Sequence, residues 1–158
     1  MKIFSNYRYY TKEKMNMSNS NIKGSNENDN VMRAMKANSY QKGDILLVDF
    51  GTNMDYCLTA GLRPAICISC AEFNERAPIM SVVPMTKHFK QIDMDSHVFI
   101  DKADCIGLWE SGMAMCEQLR CVDRSQAIRK IASINDYKLM NKITKAIQLH
   151  FGSDEERV

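Results

Sequence analysis

Residues 112–132 read GMAMCEQLRCVDRSQAIRKIA. Three short strands follow one another here: Gly112 to Gln118, Leu119 to Val122, and a last one near Ile128 to Ala132. Upstream, Asp44 to Phe50 reads as a strand behind a Lys42-Gly43 turn. Residues 51–62 form a loop with glycines near both ends. Arg63 to Cys70, Pro78 to Thr86 and the short His97 to Ile100 complete the set. Short strands at close spacing, with no long helix between them, predict a small antiparallel β-barrel in a mainly β chain.

The barrel is followed by a helix. Asn135 suits the N-cap, and Asp136 suits the positive end of the helix dipole. Ile134 and Leu139 stand at the spacing of a hydrophobic staple. Leu139, Ile143, Ala146, Ile147 and His150 share one helical face, expected to pack on the barrel. Gly152 is placed to end the helix. An acidic tail, residues 153–158 with Asp154, Glu155 and Glu156, is expected to run into solvent.

Composition divides the chain at about residue 40. Residues 1–40 are rich in Asn, Ser, Lys and Met around SNSNIKGSNENDN. Such a segment buries too little apolar surface to offset its ordering entropy, so a disordered N-terminal tail is expected. The expected domain is 41–152. At 158 residues there is room for one domain with a real core. No run reaches the apolar length of a membrane span. The N-terminus is basic but lacks the apolar segment of an export signal, so the cytoplasm is the expected compartment.

In a reducing compartment the six cysteines are expected as free thiols. Cys67 and Cys70 form a CxxC, but Cys116 and Cys121 are too far apart to complete a zinc site with them. The pair also lies inside the apolar run Ala65 to Cys70, where residues three apart on a strand face opposite sides. A buried structural role is the preferred reading. Charge is uneven: residues 1–40 hold seven Lys/Arg against three Asp/Glu, net +4, and the remainder fourteen against sixteen, net −2. A slightly acidic domain is no general nucleic-acid binder, so any RNA contact must come from a local groove.

The order of landmarks carries a family resemblance. Lys42-Gly43-Asp44 opens an apolar strand, and Gly61-Leu62-Arg63-Pro64 closes the first loop. A strand ends at Thr86, Ser96-His97-Val98-Phe99-Ile100 follows, then Glu117-Gln118-Leu119-Arg120 with Val122-Asp123, and a capped helix. Over nearly all of 41–152 this resembles the MazF/PemK toxins. The resemblance implies an SH3-like barrel of the CcdB/PemK kind with a C-terminal helix, a homodimer, and a cognate antitoxin as partner. It also implies an endoribonuclease that cuts single-stranded RNA with no metal and no cofactor, using Arg63 and Thr86.

RNA carries its own nucleophile, the 2′-hydroxyl, so the chemistry needs charge stabilisation at phosphorus, a proton acceptor and a proton donor. Arginine suits the first role because its planar fork grips two phosphate oxygens. A structural salt bridge is the plainer alternative for Arg63. His88, two residues beyond Thr86, shares its face if the strand continues, and is the candidate base. The alternative is an exposed loop histidine beside Lys87 and Lys90. His97 is read as structural. Gln118 and Arg120, read as lying on one side of a strand, are assigned to interface or barrel hydrogen bonding. Lys42, Lys87 and Lys90 are candidate phosphate contacts and Thr59 a further RNA contact. Tyr56 and Trp109 are either stacking platforms for unpaired bases or half-buried packing residues.

The first loop departs from the family. Many relatives carry a polar Ser-Glu-Gln-Gly-Gly stretch before the Arg-Pro, where this chain has Cys57-Leu58-Thr59-Ala60-Gly61. That difference keeps open a second function, a toxin-like module that binds antitoxin or RNA without cutting. A third, the gyrase poisoning of the related CcdB toxins, depends on a C-terminal Trp-Gly-Ile, and this chain ends Glu155-Glu156-Arg157-Val158.

Overall fold

Between Asp44 and Asp49 the four residues Ile45 to Val48 are all apolar, without alternation, which requires cover on both faces. A computed structural model of the chain, describing residues 40–52, 58–88 and 94–152, supplies that cover. The expected tails, 1–40 and 153–158, fall almost wholly outside the described residues, as do Tyr56 and Lys90. The described strands are β1 (Asp44–Asp49), β2 (Leu62–Cys67), β3 (Ile79–Thr86), β4 (His97–Ile100), β5 (Cys105–Ile106), β6 (Gly112–Met115), β7 (Arg120–Asp123) and β8 (Ala127–Ile134). The helices are α1 (Ala71–Arg76) and α2 (Tyr137–Phe151).

All ladders are antiparallel, in the order β4-β6-β3-β2-β1-β8-β5, with β7 also on β3. The result is a nearly closed barrel with a C-terminal helix, as the sequence predicts. Two register shifts in the β1–β8 ladder add the local twist that curls it. β3 serves two neighbours along one edge: Ile79 to Val82 pair with β7, and Met85 and Thr86 with β6.

Successive residues of β1 to β3 feed two cores. Ile45, Ile66, Val83 and Met85 join Ile100, Ala114 and the α2 residues Leu139, Ile143 and Ala146. Leu46, Val48, Ala65, Cys67, Met80, Val82 and Val122 form the other. The expected packing face of the helix is therefore present, though His150 is exposed. Gly43, at φ 94°, begins β1, and a Cβ there would lie 2.9 Å from the Ile134 carbonyl oxygen, which only glycine avoids.

Several boundaries differ from the sequence reading. β8 runs on to Ile134, whose N–H donates to Gly43 O at 2.9 Å, so Asn135 is not the N-cap. Asp136 is, with Oδ1 accepting from Lys138 N–H at 2.8 Å. Ile134 and Leu139 then miss the staple register by one place, yet both are buried in the first core. A 3-10 turn, Cys116–Gln118, interrupts the expected strand 112–118, so Gln118 and Arg120 do not share one strand. β2 stops at Cys67 rather than Cys70, and Cys70 caps the unforeseen α1. The strand-face reasoning for the CxxC thus lapses, although Cys67 is fully buried, and burial pushes its thiol pKa up.

Candidate active site

Loop 50–61 opens at the C-terminal end of β1 and returns into β2. Phe50 N–H donates to Gly61 O at 3.0 Å and Gly61 N–H to Gly51 O at 2.7 Å, which pinches its neck. Gly61 sits at φ 70°, a left-handed turn that delivers the chain into Leu62-Arg63-Pro64. Arg63 pairs with Val48 of β1 and is exposed.

The β2–β3 ladder runs Cys67–Val82, Ile66–Val83, Ala65–Pro84. The ladder ends at Ala65–Pro84, and two residues further along each strand, in the same register, stand Arg63 and Thr86. Both side chains then point to one face. Thr86, the last residue of β3, is half-buried. Its Oγ1 accepts from the His88 backbone N–H at 3.1 Å. Its hydroxyl proton is left to donate outward. On the other flank Thr86 pairs with Met113, and a Cβ on neighbouring Gly112 would come within 3.1 Å of Thr86 O.

The other candidates divide by position. β3 ends at Thr86, so the same-face condition for His88 is not met; His88 is exposed just past the strand. Lys87 forms an ion pair with Glu110. Lys42 precedes Gly43, whose N–H bonds Cys67 O, so it lies at the far end of β2, about 13 Å along the strand from Arg63. His97 is half-buried, with Nε2 3.1 Å from Glu117 Oε1, the structural role read for it.

Thr59 is held from three sides. Its N–H and Oγ1 donate to Gln118 Oε1 at 2.8 and 2.7 Å, and its carbonyl accepts from Arg120 Nη2 at 2.7 Å. Arg120 also stacks its guanidinium over the Phe50 ring at 4.3 Å. Desolvation lowers the Arg120 pKa, and its Nε is buried without a hydrogen-bond partner. Gln118 and Arg120 are therefore clamps on the loop that leads into Arg63. The sequence showed the two residues but not their partner, which lies 59 positions away from Gln118. Among the described residues no three His, Cys, Asp or Glu side chains are grouped as metal ligands.

The antiparallel barrel with its C-terminal helix is a fold that the comparisons assign to a family. Residues 41–151 match the family of PemK-like, MazF-like toxins of type II toxin-antitoxin systems, and the chain belongs to that family. MazF from Deinococcus radiodurans shares the fold at TM-score 0.62 and 20% identity, over 73% of this chain and 99% of that one. The endoribonuclease of a mycobacterial species, solved with its cognate antitoxin, aligns at TM-score 0.57 and 17% identity, over 72% and 95%. The Mycobacterium tuberculosis toxin MazF-mt6 aligns at 0.56 and 17%, over 70% and 98%. No match was found among curated proteins.

Proposed function

We propose that the chain is an endoribonuclease toxin that cuts single-stranded RNA through its own 2′-hydroxyl. What supports this is the β2–β3 register, which, carried two residues past Ala65–Pro84, brings Arg63 and Thr86 to one face. The 2′-oxygen attacks phosphorus and loses its proton to a base. The P–O5′ bond breaks, and O5′ takes up a proton. The products are a 2′,3′-cyclic phosphate and a 5′-hydroxyl. Arg63 neutralises charge on the non-bridging oxygens, and Thr86 donates a hydrogen bond to one of them. The nucleophile belongs to the substrate, so no metal is needed to activate water.

His88 is the proposed base, reached by the loop beyond β3 rather than along it. Thr59 and Lys87 are proposed RNA contacts; Tyr56 and Lys90, outside the described residues, are proposed as further ones, while Lys42 serves only a strand long enough to reach the far end of β2. A homodimer in the cytoplasm, silenced by a cognate antitoxin covering the Arg63 groove, completes the reading; the solved mycobacterial complex supports the antitoxin. Among the described residues no helix is long and apolar enough to cross a membrane.

The test is single-stranded RNA in excess EDTA, beside a copy with 2′-deoxyribose at the cleaved nucleotide. The first should be cut and the second not. Loss of cutting on chelation, or cutting of the deoxy copy, sinks the mechanism. The altered first loop favours a second reading, a binder that no longer cuts; intact RNA with retained antitoxin binding would select it.

A further inference from the structure

We propose that Trp109 is a stacking platform for an unpaired base of the RNA strand flanking the scissile phosphate, an assignment that rests on the ribonuclease reading above. Trp109 is 91% exposed, an unusual state for the largest apolar side chain. It stands in the turn 107–111 between β5 and β6, and both sides of that turn are fixed. β5 pairs with β8, and Gly107 lies so near β8 that a Cβ would meet Ile131 O at 3.1 Å. Ser111 Oγ accepts from Lys102 N–H at 3.0 Å and donates to Asp101 Oδ1 at 3.2 Å. An indole on a rigid turn binds with little ordering cost.

The turn belongs to the same end of the barrel as Arg63 and Thr86. Trp109 stands three positions before Gly112, which packs against Thr86, so the Cα atoms of Trp109 and Gly112 are at most about 11 Å apart. Glu110, next to Trp109, is ion-paired with Lys87, next to Thr86. Across β4, β6 and β3 a single row reads Phe99–Met113–Thr86, and its first ring is half-exposed. The chain thus sets a phosphate-binding pair and an exposed ring within the span of neighbouring nucleotides. The indole carries no charge to pair with phosphate, so the face of a base is its fitting contact. Stacking is also sequence-tolerant, so it adds affinity without the base-reading contacts that the first loop lacks.

Trp109 is the chain's only tryptophan, so its emission reports the site directly. The full-length protein is titrated with a short single-stranded RNA blocked by 2′-deoxyribose at the cleaved nucleotide. Emission should be quenched as the oligonucleotide binds. Trp109→Ala should raise KM roughly ten- to hundredfold with kcat little changed, Trp109→Phe should recover part of it, and Trp109→Leu should not. An RNA lacking the flanking base should bind wild type and Trp109→Ala alike. Binding without quenching, or an equal penalty for the missing base in both proteins, overturns the platform while leaving the ribonuclease standing. If no RNA is cut but quenching occurs, the platform stands and the cleavage chemistry falls. An emission that shifts on dilution without RNA, together with a lower molecular mass by light scattering for Trp109→Ala, assigns the ring to a second copy instead and also overturns it.

Discussion

At the Cys67 end of β2 the polar groups face inward and are matched; at the Arg63 end they face outward. Asn74, 1% exposed, gives its Nδ2 to Tyr40 O at 2.7 Å, Ser69 O at 3.2 Å and Cys67 Sγ at 3.3 Å, while Oδ1 accepts from Ser69 Oγ at 2.6 Å. One side chain there joins the chain before β1, the end of β2 and α1. At the other end, Arg63 is exposed, Thr86 keeps a donor proton, and the loop is clamped by two residues of which Arg120 retains an unpartnered Nε. One end of the same strand is tied by buried hydrogen bonds, and the other presents polar groups outward, where the proposed RNA would bind.

Substitutions at the two ends should therefore separate activity from stability. The largest effect is expected from Arg63→Ala: on the order of a hundredfold or more in cleavage rate, with the thermal midpoint unmoved. Thr86→Ala should cost less, because a neutral hydrogen bond is weaker than a charge-assisted one. Asn74→Ala should do the reverse. It leaves buried groups unmatched and should lower unfolding free energy by about 2–3 kcal/mol in urea titrations, with activity per folded molecule retained. A loss of activity without a loss of stability would show that the two ends are coupled.

Gln118→Ala tests the clamp. Thr59 would lose both bonds to Oε1, and a roughly tenfold fall in kcat/KM is expected from loosened positioning of Arg63, with about 1 kcal/mol of stability lost. Equal wild-type kinetics would mean that the loop position is not used.

Alkali should distinguish the ends more gently. The folded Cys67 thiol has a pKa raised above its ordinary 9.0, chiefly by burial. The unfolded chain releases that proton first, so stability is fully present below about pH 9 and declines as pH rises beyond it. Cys67→Ala should flatten this decline in thermal scans between pH 8 and about 10.5. The smallest effect is expected from deleting residues 1–38, which should leave the midpoint nearly unchanged. A large drop would place that segment in the folded unit.

Strands were legible wherever apolar residues met backbone punctuation. His97 to Ile100 was read to the residue, and Asp44 and Thr86 were found as strand ends. The β2 end was not, because Ile68, Ser69 and Cys70 carry strand-like character while the turn is imposed by Asn74, a tertiary partner. Likewise the helix cap shifted from Asn135 to Asp136 because β1 holds Ile134 in the sheet. At the site, Arg63 and Thr86 came from the resemblance, and the β2–β3 register that relates them ends two residues short of both. His88 and Lys42 show the limit of spacing: one depends on a strand that stops, the other on a strand whose two ends are far apart.

The partners of β1 have a consequence for how the chain is made. Its Ile45 pairs with Ile66 on one side and with Ala132 on the other. During synthesis the first partner emerges soon after β1, but the second comes only near the end. Until residue 134 has been translated, the strand at the middle of the barrel keeps an open edge and the first core lacks α2 as well. Closure of such a long loop is slow relative to local pairing, so the β1–β8 ladder is expected to form after the β1–β2 ladder.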